Sequence, residues 1–251
     1  MYRSISTQAI VIRRERIGEF HKSLCLLTAD LGLITATAYG AYKSQSRLRL
    51  GSEPFTWSAV HLYHNPVRKS YKVTDLEILA SFEGLQADLC RLAAASLWAE
   101  VIQKSFGAGE MSGGLFGLFR ESLEILENSG PALEAYVTMQ FLWRFLSLAG
   151  YQPDIGSCDS CGAVLGERGP AWYAPRTHAL LCAACGAHTG LSLPQGALRY
   201  LGATHVMPLG RAVAVSMDEG SRAALRDTLL GMVQSVLEGS LASIPWVRSG
   251  P

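Results

Sequence analysis

The first third of the chain follows a two-residue rhythm. Residues 7–13 alternate weakly, while 24–28 and 33–38 are apolar runs joined by Ala29-Asp30-Leu31-Gly32, the pattern of two strands around a tight turn. Residues 55–63 place Thr56, Ser58, Val60 and Leu62 on one face and Phe55, Trp57, Ala59, His61 and Tyr63 on the other. Asn65-Pro66 breaks this run before a fifth strand at 71–75. Short strands separated by basic loops predict a small closed five-stranded barrel of the OB-fold type over residues 1–78.

From about Leu76 the rhythm becomes helical. Leu85, Leu89, Leu92, Ala93 and Leu97 recur at three- and four-residue spacing, and Val101 and Ile102 extend the stripe. Leu115, Leu118, Phe119, Leu123 and Leu126 predict a second helix ending near Gly130. Pro131 opens a third, with Val137, Phe141, Phe145 and Leu148 on one side, which stops at Gly150 before Pro153. A last amphipathic helix is predicted over 219–243, carrying Leu225, Leu229, Val233, Val236, Leu237 and Leu241. These stripes read as packed core, not as a cofactor box. The fold class is therefore α+β: the barrel, then an all-α domain (79–156 and 191–251) into which a cysteine module (157–190) is inserted.

Composition adds bounds. At 251 residues, 49% hydrophobic and 17% charged, the chain is globular and long enough for a sizeable core. No apolar run has the length of a membrane span. The first 16 residues hold only a four-residue apolar stretch, too short for a signal-peptide core, so a cytoplasmic protein without membrane contact is expected. The formal net charge of +1 hides an asymmetry. Residues 1–75 carry eleven Lys/Arg against five Asp/Glu, and the remainder eleven against sixteen. That imbalance points to a polyanionic partner for the N-terminal part, although a solvated strand face gives the same count.

Four of the six cysteines form Cys158-x2-Cys161 and Cys182-x2-Cys185, with twenty residues between the pairs. Each pair turns two sulfurs from one short knuckle toward a common centre, and Gly162 and Gly186 follow as residues able to take positive φ. Two knuckles supply four thiolates, a donor set that selects a structural Zn2+ in a closed tetrahedral site. With all four positions filled by protein, no place is left for an activated water. A rubredoxin-like iron centre uses the same sulfurs and is the rival reading; disulfides are disfavoured in a reducing compartment. Cys25 and Cys90 read as packing residues, and His178 and His188, which flank the second knuckle, as surface residues with a possible supporting role.

Candidate nucleic-acid contacts lie in the barrel. Tyr39, Tyr42, Lys43, Arg47 and Arg49 interleave rings and cations after the third strand, Arg13, Arg14 and Arg16 lie at the end of the first, and Lys22 is a further candidate cation before the second. Cations bind phosphates whatever the sequence, and rings offer stacking platforms for unpaired bases. His61 and Tyr63 could extend such a face, whereas Trp57 reads as packing. There is no phosphate loop, dinucleotide fingerprint or nucleophile elbow. Gly107-Ala108-Gly109 and Gly113-Gly114 lack the Lys-Ser/Thr of a phosphate cradle, and Glu121, Glu124 and Glu127 are not paired into an acid–base site. A non-enzymatic protein is expected, with no small-molecule substrate.

In order along the chain, Gly18-Glu19, Leu26-Leu27-Thr28, Gly32-Leu33-Ile34, Gly40-Ala41, Ser46-Arg47, Glu53-Pro54-Phe55, then 141–150 with Tyr151-x-Pro153 running into the cysteine knuckles, resemble the zinc-bearing branch of the RecO family of bacterial DNA repair and recombination mediators. The resemblance covers residues 6 to about 190. It implies an N-terminal OB-fold, a helical domain with a zinc module, binding of single- and double-stranded DNA, and annealing of complementary strands. It also implies partnership with RecR, contact with the C-terminal tail of single-strand binding protein, indirect action on RecA, and a nucleoid-associated place in a bacterial cytoplasm. The chain departs from the family where Tyr39, Tyr42 and Gln45 stand at positions usually cationic, and where Arg176-Thr177-His178 replaces a glycine-rich turn. Fewer cations imply lower affinity and a shallower salt dependence, which tyrosine stacking would offset. The competing readings are an RNA-binding or ribosome-associated OB-fold and zinc-ribbon factor, and a zinc-stabilised interaction scaffold.

Overall fold

The computed structural model describes residues 3–105, 114–167, 169–187 and 190–245. They form two compact units, Met1–Glu127 and Asn128–Pro251. The first opens with a closed barrel of strands β1 (Ser4–Ile17), β2 (His21–Thr28), β3 (Gly32–Ala38), β4 (Trp57–Asn65) and β5 (Ser70–Ala80), in the order β1-β2-β3-β5-β4. A short helix α1 (Leu48–Gly51) lies in the β3–β4 connection. This is the OB-type barrel expected from the alternation.

Closure depends on β1, which serves two partners. Its first half pairs with β4, from Ser4↔Tyr63 to Ile10↔Trp57, and its second with β2, from Ala9↔Thr28 to Ile17↔His21. A register shift between Val11 and Arg13 bends the strand from one partner to the other. At that bend Val11 donates to Thr56 O (3.1 Å) and accepts from Phe55 N–H (2.7 Å). Phe55 sits buried at φ 67, so β4 begins only at Trp57 and not at residue 55. A parallel pairing, Ala36↔Tyr71 and Thr37↔Lys72, joins β3 to β5. Inside, Ala9, Val11, Leu24, Leu26, Ile34, Ala36, Val60, Leu62 and Val73 form the core.

β5 reaches Ala80, beyond the point where a helical period was expected, because Leu76, Glu77 and Ile78 pair with Val60, Ala59 and Ser58. A short apolar run reads equally as strand or helix until a partner strand is present. After it come α2 (Glu83–Gln86), α3 (Leu89–Ser105) and α4 (Leu115–Asn128). Glu127 at the end of α4 accepts from Gly84 N–H (3.1 Å), and its carbonyl accepts from Arg91 (2.9 Å), tying the three together. Residues 107–109 and 113 lie outside the described residues.

The second unit contains α5 (Pro131–Leu148), strands β6 (Ala171–Ala174) and β7 (Ala179–Leu181), α6 (Ala183–Gly186), β8 (Leu191–Leu193), α7 (Gln195–Thr204), α8 (Leu209–Ala212) and α9 (Glu219–Val236). Pro131 at the first helical position and Asp218, whose carboxylate caps Ser221 N–H at 2.8 Å, start α5 and α9 as local chemistry dictates. Val137, Phe141 and Phe145 of α5, Leu198 and Leu201 of α7, and Leu225, Leu229 and Val233 of α9 are buried. Gln140 links α5 to α7 by donating to Tyr200 Oη (3.0 Å) and Thr204 Oγ1 (2.9 Å). The last helix stops at Val236, not 243. Glu238 turns left-handed (φ 49) and Gly239 N–H returns to Gln234 O (3.3 Å), so the chain reverses and Leu241 is buried after the helix. No helix among the described residues is long and apolar enough to cross a membrane.

The three-stranded sheet β7-β6-β8 had no clear signal in the sequence, since its strands are only three or four residues long. Gly190 marks its tightest point: a Cβ there would fall on the carbonyl oxygen of Tyr173, which faces Leu191 across the β6–β8 pair. Gly190→Ala is expected to push β8 off β6 and destabilise this unit by about 1–3 kcal/mol, read as a lower denaturant midpoint.

Candidate functional site

The barrel cations are sorted by the alternation of their strands. In β2, Lys22 shares the inward side with Leu24 and Leu26 and is 1% exposed. Its ammonium donates to Arg49 O (3.1 Å), Ser52 Oγ (2.7 Å) and Glu53 Oε1 (2.8 Å). Lys22 is therefore not the surface phosphate contact expected from its charge. It is an interior cation that fastens the β3–β4 connection to the barrel. The other oxygen of Glu53 takes Arg14 Nε at 2.8 Å.

Tyr42 is built into the same network. Its hydroxyl accepts from Arg14 Nη1 (2.8 Å), and Arg16 and Lys22 lie 5.3 and 4.9 Å from its ring centre. Arg16 also donates to the carbonyls of Gly18 (3.0 Å) and Glu19 (3.2 Å), and Arg13 pairs with Glu15 (2.7 Å) at the exposed edge. Lys43, Arg47 and Arg49 are exposed, and none has a carboxylate partner among the described residues. Tyr39 is exposed at the end of β3.

The β1–β2 turn and the loop after β3 are pinned together. Gly18 and Gly40 take φ of 58° and 72°, Tyr42 N–H donates to Phe20 O (3.1 Å), and Gly40 N–H to His21 Nδ1 (2.9 Å). Three residues not singled out in the sequence join the group: Phe20, His21, whose ring meets Tyr39 edge-on at 5.0 Å, and Lys72 of β5, 5.3 Å from the Tyr39 ring centre. Lys72 arrives through the β3–β5 pairing, for which no spacing rule exists. Trp57, read as packing, is half-buried, bonds Gln8 and carries Arg120 over its ring. His61 is held by Ser6 at 2.8 Å.

The four knuckle cysteines converge. Their Sγ atoms all lie within 4.8 Å of one another, with Cys161 and Cys182 at 3.7 Å. A tetrahedron of thiolates with metal–sulfur bonds of about 2.3 Å has sulfur–sulfur edges of about 3.8 Å, so the donor set fits one tetrahedral ion. In the first knuckle Gly162 takes φ 72 and its N–H returns to Cys158 O (2.8 Å). Gly186 departs from the expectation: it stays helical at the end of α6, and Cys185 and Gly186 N–H instead bond Cys182 O (3.1 and 2.9 Å). Burial opposes ionisation of Cys158, but the N–H groups of Cys182, Cys161 and Ser160 outweigh it and bring the thiol down to about 6. Cys185, hydrogen-bonded to the Cys161 and Cys182 sulfurs, is pushed up to about 12.

Of the remaining candidates, Cys25 is half-buried and burial raises its thiol to about 11, against the pull of Arg13. That suits packing. Cys90 is half-buried in α3. His178 is half-buried with its ring bonded to Tyr173 Oη (2.8 Å), and His188 lies outside the described residues.

A five-stranded OB-type barrel with cations and rings gathered at one loop cluster, followed by helices that hold a tetracysteine module able to take one tetrahedral ion, defines a class of barrel-plus-tetracysteine proteins. Within it the comparison with known proteins is specific. The family models described as Recombination protein O N terminal and Recombination protein O C terminal match residues 1–82 and 86–245. Proteins named DNA repair protein RecO are similar throughout: that of Desulforudis audaxviator is 30% identical over 96% of this chain and 95% of its own. Those of Roseiflexus sp. and Rubrobacter xylanophilus are also 30% identical, over 96% and 92% of this chain and 84% and 91% of theirs. The chain belongs to the RecO family of DNA repair proteins.

Lys22→Met keeps the stem volume but removes the ammonium, leaving Glu53 with Arg14 alone and the Arg49 carbonyl with only the Ser52 hydroxyl. It is expected to destabilise the barrel by about 2–3 kcal/mol, seen as a lower Tm, with the far-UV spectrum of the folded protein unchanged.

Proposed function

We propose that this protein is a DNA-binding recombination mediator that binds single- and double-stranded DNA through its barrel, anneals complementary strands and helps load recombinase onto strands coated with single-strand binding protein. The observation that carries the reading is the set of exposed cations Lys43, Arg47 and Arg49 around the β3–β4 connection, without carboxylate partners among the described residues, beside Tyr39 and Lys72. Annealing requires two phosphate backbones to be neutralised while base edges stay free to pair. A shallow basic face does this better than a base-reading pocket. Arg14 and Arg16 border this face from one side of β1, whereas Arg13, paired with Glu15, points to the other side of the strand. Membership of the RecO family supports RecR, the C-terminal tail of single-strand binding protein and, indirectly, RecA as partners in a bacterial cytoplasm at the nucleoid.

In this reading Cys158, Cys161, Cys182 and Cys185 hold one structural Zn2+. Strands of three or four residues bury too little apolar surface to keep residues 157–190 folded alone, and a tetrathiolate ion supplies the missing cross-link. Protein ligands fill the tetrahedron, so the ion's contribution is to shape and not to bond cleavage.

Arg47→Ala and Arg49→Ala are expected to weaken DNA binding to a similar degree for all sequences. The slope of log affinity against log salt should fall by about one for each phosphate no longer neutralised, read by fluorescence anisotropy of labelled DNA across a salt series. A change in base preference instead would overturn the phosphate role. Cys158→Ser or Cys182→Ser should remove zinc, measured by elemental analysis, and lower Tm; retained zinc with an unchanged melt would refute the assignment. Because protons compete with the ion for the sulfurs, zinc release to a chromogenic chelator should quicken as pH falls.

A further inference from the structure

Two exposed rings at this end of the barrel each lie beside an ammonium group. Phe20, in the β1–β2 turn, is 45% exposed, with Lys43 Nζ 5.8 Å from its ring centre. Tyr39 is 53% exposed, with Lys72 Nζ 5.3 Å from its ring centre. The backbone makes the two pairs neighbours, since Phe20 O and His21 Nδ1 accept from Tyr42 and Gly40 N–H. The side chain of Lys43 runs across Gly40, where a Cβ would touch its Cδ at 3.6 Å. Tyr42 differs from both. Its hydroxyl and ring are taken by Arg14, Arg16 and Lys22, and it has no free role to offer a ligand.

A solvent-exposed ring and ammonium attract one another only weakly, so each pair is easily separated. A better partner for the ring is a flat apolar base; a better partner for the ammonium is a phosphate. An unpaired nucleotide presents both at once. We infer that Phe20–Lys43 and Tyr39–Lys72 are two adjacent nucleotide subsites for an unpaired DNA strand, in which a base stacks on the ring as the lysine swings from the ring to the phosphate. Bases inside a duplex are stacked on one another and have no free face. The two rings therefore favour unpaired strand over duplex, while Arg47 and Arg49 serve either. This rests on the DNA-binding reading above, and it assigns to Phe20 and Tyr39 the stacking that the chain pattern equally offered to Tyr42.

The test uses the full-length protein and three labelled ligands in anisotropy titrations: a dT oligomer, an abasic strand of the same length and a duplex. Phe20→Ala and Tyr39→Ala are each expected to weaken dT binding about tenfold while leaving the abasic strand and duplex within about twofold of wild type. Tyr39→Phe should bind as wild type. Lys43→Ala and Lys72→Ala should weaken all three ligands and lower the salt slope. Phe20→Trp and Tyr39→Trp should retain binding, and the dT oligomer should quench the added indole fluorescence beyond any change seen with wild type. These two variants carry the test if the alanine proteins misfold. Folded alanine variants that bind dT normally, or that lose all three ligands equally, would overturn the subsites while leaving the DNA-binding reading intact. So would the absence of added quenching. A wild-type protein that binds none of the ligands would overturn both.

Discussion

The carboxylate of Glu53 organises the basic end of the barrel. One oxygen takes the buried Lys22 ammonium and the other takes Arg14, which in turn holds the Tyr42 hydroxyl. An interior ammonium is tolerated only when its donors are satisfied, and Lys22 has Glu53, Ser52 and the Arg49 carbonyl. The same three contacts fasten the segment that carries Arg47 and Arg49. The exposed arginines thus stand on a loop held from beneath by an unexposed lysine. Electrostatics of opposite purpose share a few residues: a neutralised network inside and positive charge left open outside.

The left-handed Phe55 belongs to this arrangement. It clasps Val11 at the bend of β1 and turns the chain so that Glu53, two residues earlier, meets Lys22. A φ of this sign is costly for a phenylalanine, and it persists here because its N–H and its burial are both provided for. The bend that closes the barrel and the turn that positions the basic loop are one piece of backbone.

The second unit solves a different problem. Its helices pack through α5, α7 and α9, and the cysteine module rests on them through a sheet too small to be stable alone. Thr228 of α9 donates to Ser192 O (3.5 Å), and Ser235 donates to Pro175 O (2.9 Å). The basic cluster falls in the first unit and the four clustered sulfurs in the second, so charge and thiol chemistry are assigned to different parts of the chain.

The strands, the long helices and the cysteine knuckles were legible in the sequence because each is local. Alternation marks a half-buried strand, Pro131 and Asp218 mark helix starts, and Cys-x2-Cys brings two sulfurs to one point without reference to the rest of the chain. The short strands β6 to β8 were not legible, since three residues carry no period. Nor was the end of α9, which depends on Glu238 turning left-handed. The charge of Lys22 was visible but its direction was not, because a one-residue change of register would have put it outside. Phe20, His21 and Lys72 joined Tyr39 only through the turn clasp and the parallel β3–β5 pairing. By itself the sequence determined which chemistry this protein carries: the four thiols, the cations and the rings. Tertiary structure alone decided which cation is sealed inside and which rings are left free, because both follow from which strands pair across long stretches of chain, and in what register.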